Sequence, residues 1–249
     1  MTEAISFGAG VNSTAMTIML VNKGWRGPIV FSDTGTEWPD TYCFMDMFEK
    51  DWLRPRGLEI VRLGGEWRSP SKAMSLLEHC EQYGVTPRAY PRWCTAGYKV
   101  LPLNRWCKEH GIGQEGVLLG IAVDERHRMP DRIRPLVDHE ITRAGCVDII
   151  VAEGLSVPRK SGCYICPFQR DQQWRDLWER YPELYARAEM LERPPRKKKG
   201  RAGMPTGLVI DPAGKMTLVM RRRRYESQST MPFLEDPNLL LAKPCICGL

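Results

Sequence analysis

Four short apolar runs, each closed by a turn and followed by a helical pattern, constrain this chain more than any other feature. Residues 5–7 end a first strand, and 13–23 follow as a helix with Ala15, Met16, Met19 and Leu20 on one face and Gly24 as its stop. "PIVFSDTG" (28–35) is a second strand ending at Asp33, and "EWPDTYCFMDMFEKDWL" (37–53) is helical, with Pro39 tolerated in its first turn. "GLEIVRLGG" (57–65) is a third strand, followed by a helix near 70–82 and a polar, Pro-rich stretch. A helix over 99–111 precedes a buried strand in "GVLLGIAVDE" (116–125). Alternation of this kind predicts an α/β fold: a doubly wound, mostly parallel sheet with helices on both faces. Beyond residue 135 the pattern is helical, over 138–153 and 171–192. There Trp174, Leu177, Trp178 and Tyr181 form a core-facing stripe, and Pro182 marks a kink. "TGLVIDPAGKMTLVMRRRR" (206–224) reads as a hairpin turning at Pro-Ala-Gly. The expected organisation is a nucleotide-binding core over 1–135, a helical region over 136–192, and a basic extension over 193–249 with a Cys-containing tail.

No run of eighteen or more apolar residues is present, so no membrane-spanning helix is expected. The start of the chain lacks a secretory layout, and the expected location is the cytoplasm. Nine cysteines in a reducing compartment point to metal or redox chemistry rather than disulfides. Cys43 and Cys80, taken singly, read as small buried hydrophobes. The net charge of +6 is uneven: "RPPRKKKGR" (193–201) carries six positive charges and no negative one, and 221–224 are four arginines. These segments suit an anionic partner, nucleotide or nucleic acid, or else a solvated loop.

The first turn, "SFGAGVNST" (6–14), lies between a strand and a helix. Small residues let the backbone approach a ligand, and a helix N-terminus offers N–H groups to an anion, so the turn suits phosphate or sulfate. It is not a P-loop, since no lysine lies in 4–20. The dinucleotide fingerprint G-x-G-x-x-G matches only at Gly8 and Gly10, with Ser13 third; Asp33 stands about where a ribose-binding acid would, which keeps an NAD-type reading as a rival.

The turn resembles the S-F-S-G-G-K-D-S-T loop of the PP-loop superfamily, the ATP pyrophosphatases and the phosphoadenosine phosphosulfate (PAPS) reductases. Gly10, Ser13 and Thr14 match, while Gly8, Ala9 and Asn12 replace a serine, a glycine and an aspartate. "FSDTGTEWPDTY" (31–42) resembles the D-T-G-x-x-x-P-E-T-Y segment of the PAPS reductase family. "WCTAGYKVLPL" (93–103) resembles the C-C-x-x-R-K-V-x-P-L segment of the adenylylsulfate (APS) reductases, with Trp93 for one cysteine and Tyr98 for the arginine. "LGIAVDERHR" (119–128) and "SGCYICPF" (161–168) resemble later family segments. The resemblance covers about residues 4–192. It implies that Ser6, Phe7, Gly8, Gly10, Asn12, Ser13, Thr14, Asp33, Thr34, Gly35 and Arg126 line a site for APS, PAPS or ATP, and that Lys99 faces substrate.

Cys163 and Cys166 are spaced to grip one metal centre, with Pro167 stiffening the turn. Cys94 is expected as a third ligand and Cys146 as a fourth, with Cys107 in reserve. Soft thiolates suit a 4Fe-4S cluster or zinc, and the resemblance favours iron–sulfur. Arg126, Arg128, Arg159 and Lys160 are candidate cations, and His127 reads as a surface residue. The tail "KPCICGL" resembles the E-C-G-L-H tail of the reductases, which aligns Cys247 with their nucleophile. The resemblance thus implies reduction of an adenylyl sulfate to sulfite, with a thioredoxin-like dithiol, or Cys245, freeing the product. The alternatives are an ATP-using enzyme that adenylates and thiolates a substrate, holding nucleic acid through 193–201 and 221–224, and a non-catalytic zinc-stabilised nucleic-acid-binding protein.

Overall fold

The structure is a computed structural model and describes residues 2–64, 74–88, 91–192 and 216–228. In chain order its elements are β1 (Ala4–Ser6), α1 (Val11–Asn22), β2 (Ile29–Ser32), α2 (Pro39–Met47), β3 (Ile60–Leu63), α3 (Leu76–Tyr83), α4 (Trp93–Thr95), α5 (Leu101–Glu109), β4 (Val117–Leu119), α6 (Pro135–Asp138), α7 (Arg143–Ala152), α8 (Asp171–Arg180), α9 (Pro182–Glu192) and α10 (Leu218–Gln228). Two π-helical turns, Phe48–Leu53 and Ala96–Val100, extend α2 and precede α5.

The chain divides into two units, Met1–Ser75 with Thr95–Gly162, and Leu76–Cys94 with Cys163–Leu249. The first unit carries a four-stranded sheet of order β3-β2-β1-β4, parallel throughout. Residues alternate faces along each strand. Ile5, Ile29, Phe31, Ile60 and Leu118 pack with residues of α1, α2, α6 and α7. Ala4, Val30 and Val117 pack on the other face with Cys107 of α5 and Ile112. Both faces are therefore covered by helices, as the α/β pattern predicts.

α1 starts at Val11, two residues before the expected Ser13, because Gly10 already takes the extended N-cap conformation. Gly24 closes α1 in the left-handed region, at φ +96°. The expected strand over 116–125 shortens to Val117–Leu119, and the chain then turns through Gly120. The expected helix over 138–153 is two helices, α6 and α7, and both pack in the first unit's core. The first unit thus runs on through both helices to Gly162.

In the second unit, Trp174 and Leu177 of α8 and Tyr185 of α9 are fully buried, and Trp174 meets Tyr185 edge-on at 6.3 Å. Of the predicted stripe, Trp174 and Leu177 are in the core, while Trp178 and Tyr181 are half-buried. Residues 218–224, expected as a strand, are the start of α10. The helix wins because Leu218 and Tyr225, seven apart, bury one face, and Thr217 caps the start by accepting the Met220 N–H at 3.2 Å. The remainder of the expected hairpin, the basic stretch 193–201, and both Cys245 and Cys247 lie outside the described residues. Among the described residues, no helix is long and apolar enough to cross a membrane.

Candidate functional site

In an open parallel sheet, ligands bind outside the carboxyl ends of the strands where the winding reverses. Here that point falls between β1, which continues to β2, and β4, which lies on its other side. The turn after β1 is residues 7–10. Its first intrahelical bond is Thr14 N–H to Gly10 O, 3.0 Å, so the amides of Val11, Asn12 and Ser13 open the N-terminus of α1. Ala9 takes φ +50°, in the left-handed region, and Gly10 after it is extended, which turns the chain sharply into α1. The turn closes on its own serine: Ser13 Oγ accepts from Gly8 N at 3.1 Å and Gly10 N at 3.3 Å and donates to Gly10 O. Thr14 is fully buried, and among the described residues its hydroxyl has no hydrogen-bond partner.

The loop after β4 meets this turn closely. A Cβ on Gly120 would stand 2.7 Å from Ser13 Cα, so only glycine fits there. Asn12 ties three elements together: its Nδ2 donates to Glu125 at 3.4 Å, and its Oδ1 accepts from Arg143 at 3.2 Å. Arg143 begins α7, and its own backbone N–H donates to Asp124 at 2.5 Å. Glu125 also accepts from Arg128 at 2.8 Å, while Arg126 is exposed and its carbonyl accepts from Arg134. On the other flank, a Cβ on Gly10 would meet Ser161 Oγ at 2.8 Å. The segment around it is anchored where Trp38 N–H donates to Gly162 O at 3.1 Å and Arg159 lies 3.7 Å from Asp40.

The turn after β2 is built by its own polar groups. Asp33 Oδ1 accepts from Gly35 N at 2.8 Å and from Tyr42 OH at 2.6 Å. Burial, then the Asp33 carboxylate, push the Tyr42 hydroxyl well above the usual tyrosine range. Thr34 donates to Glu37 at 3.1 Å, and Lys99 Nζ donates to the same Glu37 oxygen at 2.8 Å. Ser32, the last residue of β2, holds the Lys99 carbonyl at 3.1 Å.

The first unit therefore brings together Gly8, Gly10, Asn12, Ser13 and Thr14 on one turn, and Asp33, Thr34, Gly35 and Lys99 around the next. Phe7 is a correction: it is buried and stacks on Phe48 at 5.7 Å, so it belongs to the core, with Ser6 the last residue of β1 before it. Sequence reasoning missed Glu37, Gly120, Glu125, Arg143 and Ser161. Glu37 had a visible signal, an acid inside the quoted "DTGTEWP", whereas the others become neighbours only through the fold.

The cysteines divide between the units. Cys146 is a second correction: it is fully buried in the first unit's core on α7, and burial pushes its thiol up to about 11. Cys107 is buried on the opposite face of the sheet. Cys94, Cys163 and Cys166 belong to the second unit, as does Cys80, whose thiol burial pushes up to about 12 with Cys94 adding to the rise. Cys80 is buried as the sequence reading expected. Among the described residues, no three His, Cys, Asp or Glu side chains gather closely enough to hold a metal ion. Buried in the first unit's core, Cys146 does not fit the expected set, which leaves Cys94, Cys163 and Cys166 of the second unit as its candidate thiolates.

Most of the arginine run on α10 is paired with acids. Arg221 and Arg224 pair with Asp171, and Arg222 pairs with Glu189 at 2.9 Å and Glu226 at 3.1 Å. Three of the four charges expected to face nucleic acid are thus compensated within the second unit.

Residues 2–128, just over half of the chain, match the model of the phosphoadenosine phosphosulfate reductase domain. The chain belongs to the phosphoadenosine phosphosulfate reductase family. The matched span includes every residue of the two turns and Lys99. Its relatives include an uncharacterized nin region protein, ORF290, of Escherichia phage lambda, 27% identical over 154 residues (54% of this chain, 51% of that one). Another is the uncharacterized protein MJ0973 of Methanocaldococcus jannaschii, 25% identical over 206 residues (72% of this chain, 45% of that one). The chain spans about half the length of the curated relatives it matches. Among solved structures it is similar to the phosphoadenylyl-sulfate reductase of Candida auris in its phosphate complex, at 17% identity and a TM-score of 0.48, covering 66% of this chain and 82% of that one.

Proposed function

We propose that this member of the PAPS reductase family binds an adenine nucleotide at the carboxyl ends of β1 and β2, with the anionic end against residues 8–13, and reduces an adenylyl sulfate to sulfite. One observation carries the reading: a fully buried Thr14 hydroxyl, without a hydrogen-bond partner among the described residues, stands on the first turn of α1 at the sheet's reversal point, in a span that matches the family. A bound sulfate or phosphate would draw the Gly8 and Gly10 amides from Ser13 and give the Thr14 hydroxyl an acceptor. Burying such a hydroxyl without a partner costs about 1–3 kcal/mol, so the free site stores part of what binding recovers.

The family chemistry needs a thiolate near the sulfate sulfur. Cys247 is the proposed nucleophile. Its thiolate attacks sulfur, the S–O bond to the nucleotide phosphate breaks, and AMP or its 3′-phosphate leaves. A dithiol then attacks the S-sulfonate, releasing sulfite and becoming a disulfide. Lys99 would offset the charge of the nucleotide's anionic end. No step of this sequence runs through a metal; iron and zinc analysis of anaerobically purified protein tests whether Cys94, Cys163 and Cys166 take up a centre.

The deciding experiment incubates the protein with APS or PAPS and dithiothreitol or thioredoxin, and measures sulfite. Sulfite release that Cys247→Ser abolishes is the expected result. Pyrophosphate release from ATP with no sulfite from either sulfate ester would replace the reading with the ATP-using one.

A further inference from the structure

Glu37 is the acid that the site does not need for anion binding and yet buries. Its side chain is 1% exposed, and ionised carboxylates are rarely buried so fully without strong partners. It receives two of them from different parts of the chain, the Thr34 hydroxyl at 3.1 Å and the Lys99 ammonium at 2.8 Å. The lysine is 40% exposed, so the pair spans the boundary between core and solvent, with the cation on the open side.

The backbone of Lys99 is prepared for this. It lies in the π-helical turn Ala96–Val100, a wider turn than α and one that recurs at functional positions. The turn is pinned by two adjacent residues: Ser32 Oγ donates to the Lys99 carbonyl at 3.1 Å, and the buried Tyr98 donates to Ser75 O at 3.4 Å. A flexible four-carbon stem on a rigid turn still needs something to fix its tip. Glu37 stands five residues beyond Ser32, so one end of β2 fixes both the backbone and the ammonium of Lys99.

We infer that Glu37 is a positioning residue: its carboxylate holds the Lys99 ammonium at the carboxyl end of β2, preset to receive the anionic end of the nucleotide. This rests on the nucleotide-binding reading above. On it, Lys99 does not search for the anion but bridges it to Glu37, and the buried acid keeps the cation in place before ligand arrives.

The test has two independent arms. In the first, no ligand is needed: protein is acetylated with limiting acetic anhydride, and Lys99 modification is followed by mass spectrometry against the other lysines. Glu37→Gln is expected to raise the relative rate at Lys99 at least fivefold, and Glu37→Asp, which keeps the charge but withdraws it by one methylene, to give an intermediate rate. In the second, calorimetric titration with adenosine 5′-phosphosulfate compares wild type, Glu37→Gln, Lys99→Met and the double variant. Each single variant is expected to lose about tenfold in affinity, and the double variant to bind no worse than Lys99→Met alone. A carboxylate with a merely structural role would weaken binding equally in both backgrounds, and that additivity overturns the inference. Unchanged labelling in both Glu37 variants overturns it as well. Should wild type bind neither this probe nor ATP, the nucleotide reading fails, and the labelling arm still decides whether Glu37 holds Lys99. If Glu37→Gln does not fold, Glu37→Asp carries both arms.

Discussion

Replacing Gly120 with alanine tests the meeting of the β1 and β4 loops, on which the site depends. The added Cβ would lie 2.7 Å from Ser13 Cα, 2.8 Å from Ser13 N and 3.1 Å from the Asn12 carbonyl carbon. All three are backbone atoms in the first turn of α1, so no side chain can rotate away. Carbon contacts relax at about 3.5–4.0 Å, so the two loops must part by roughly 1 Å. Overpacking of this kind costs about 1–3 kcal/mol. For a chain of this size each kcal/mol lowers the melting temperature by about 2–4 °C, giving an expected fall of roughly 2–12 °C by scanning calorimetry. The same displacement carries the Asn12 and Ser13 amides out of register, so affinity for adenosine 5′-phosphosulfate should fall by more than the stability loss alone explains; a misplacement of about 1 Å at a positioned group can cost on the order of a hundredfold. Gly145→Ala is the control. It lies inside α7, where a Cβ meets Ile141 only at 3.4 Å, an ordinary contact. Alanine there should be neutral or stabilising by up to about 1 kcal/mol. A Gly120→Ala protein that melts within about 1 °C of wild type, or no lower than Gly145→Ala, refutes the claimed contact.

Asn12→Asp puts a second carboxylate against Glu125 while keeping the Arg143 contact, and should cost about 1–2 kcal/mol in a melting experiment; adding Glu125→Gln should restore most of it. Asp171→Ala removes the shared acceptor of Arg221, Arg224 and the Tyr225 hydroxyl, and should lower the stability of the second unit by about 1–3 kcal/mol, discounted for the half-exposed carboxylate. Burial, with Glu189 adding to it and the Leu218 N–H opposing it, raises Glu192 from 4.5 to about 7. Because the folded state binds that proton more tightly, the stabilisation is full below about pH 4.5 and is lost as pH rises through about 7, at most ~3 kcal/mol; Glu192→Gln should flatten this slope in denaturant titrations across that window. The Cys146 thiol, buried and pushed up to about 11, should resist iodoacetamide at pH 8 in the folded protein and react only on unfolding, whereas the partly exposed Cys94 should react in the native state.

The sheet was legible because burying both faces of a parallel strand leaves short apolar runs, and 5–7, 28–35 and 57–65 each yielded one. The run 116–125 was longer than its strand because Gly120–Ala122 is apolar for a different reason: it packs against α1 rather than pairing in the sheet. Leu218 to Arg224 misled for the converse reason. A Pro-Ala-Gly stretch before an apolar run suggests a hairpin, but the burial of Leu218 and Tyr225 at helical spacing decides the state. Within the site, the two turns could be read locally, since Gly10, Ser13, Asp33 and Gly35 hydrogen-bond within their own segments. What could not be read was partnership at long range. Nothing in the spacing of Asn12 from Arg143, or of Glu37 from Lys99, announces that a neutral amide and a buried acid will each take up one cation.

That long-range pairing also gives the departure at Asn12 a physical sense. The PAPS reductase family loop was expected to carry an aspartate there, and an aspartate between Glu125 and Arg143 would leave this corner net negative. Asn12 donates to the acid and accepts from the base at once, so Glu125 and Arg143 cancel across it and the amide adds no charge. At the carboxyl end of β2, Lys99 is likewise paired, with Glu37. Neither cation is therefore uncompensated, and much of the attraction for an anion at α1 falls to the backbone: the N–H groups ahead of Thr14 and the partial positive charge at the helix N-terminus. Such a site holds its ligand by directed hydrogen bonds more than by net field. Added salt, which screens exposed charges over about 10 Å at 0.1 M, should therefore weaken nucleotide binding far less than it would weaken binding to a loop of free lysines and arginines.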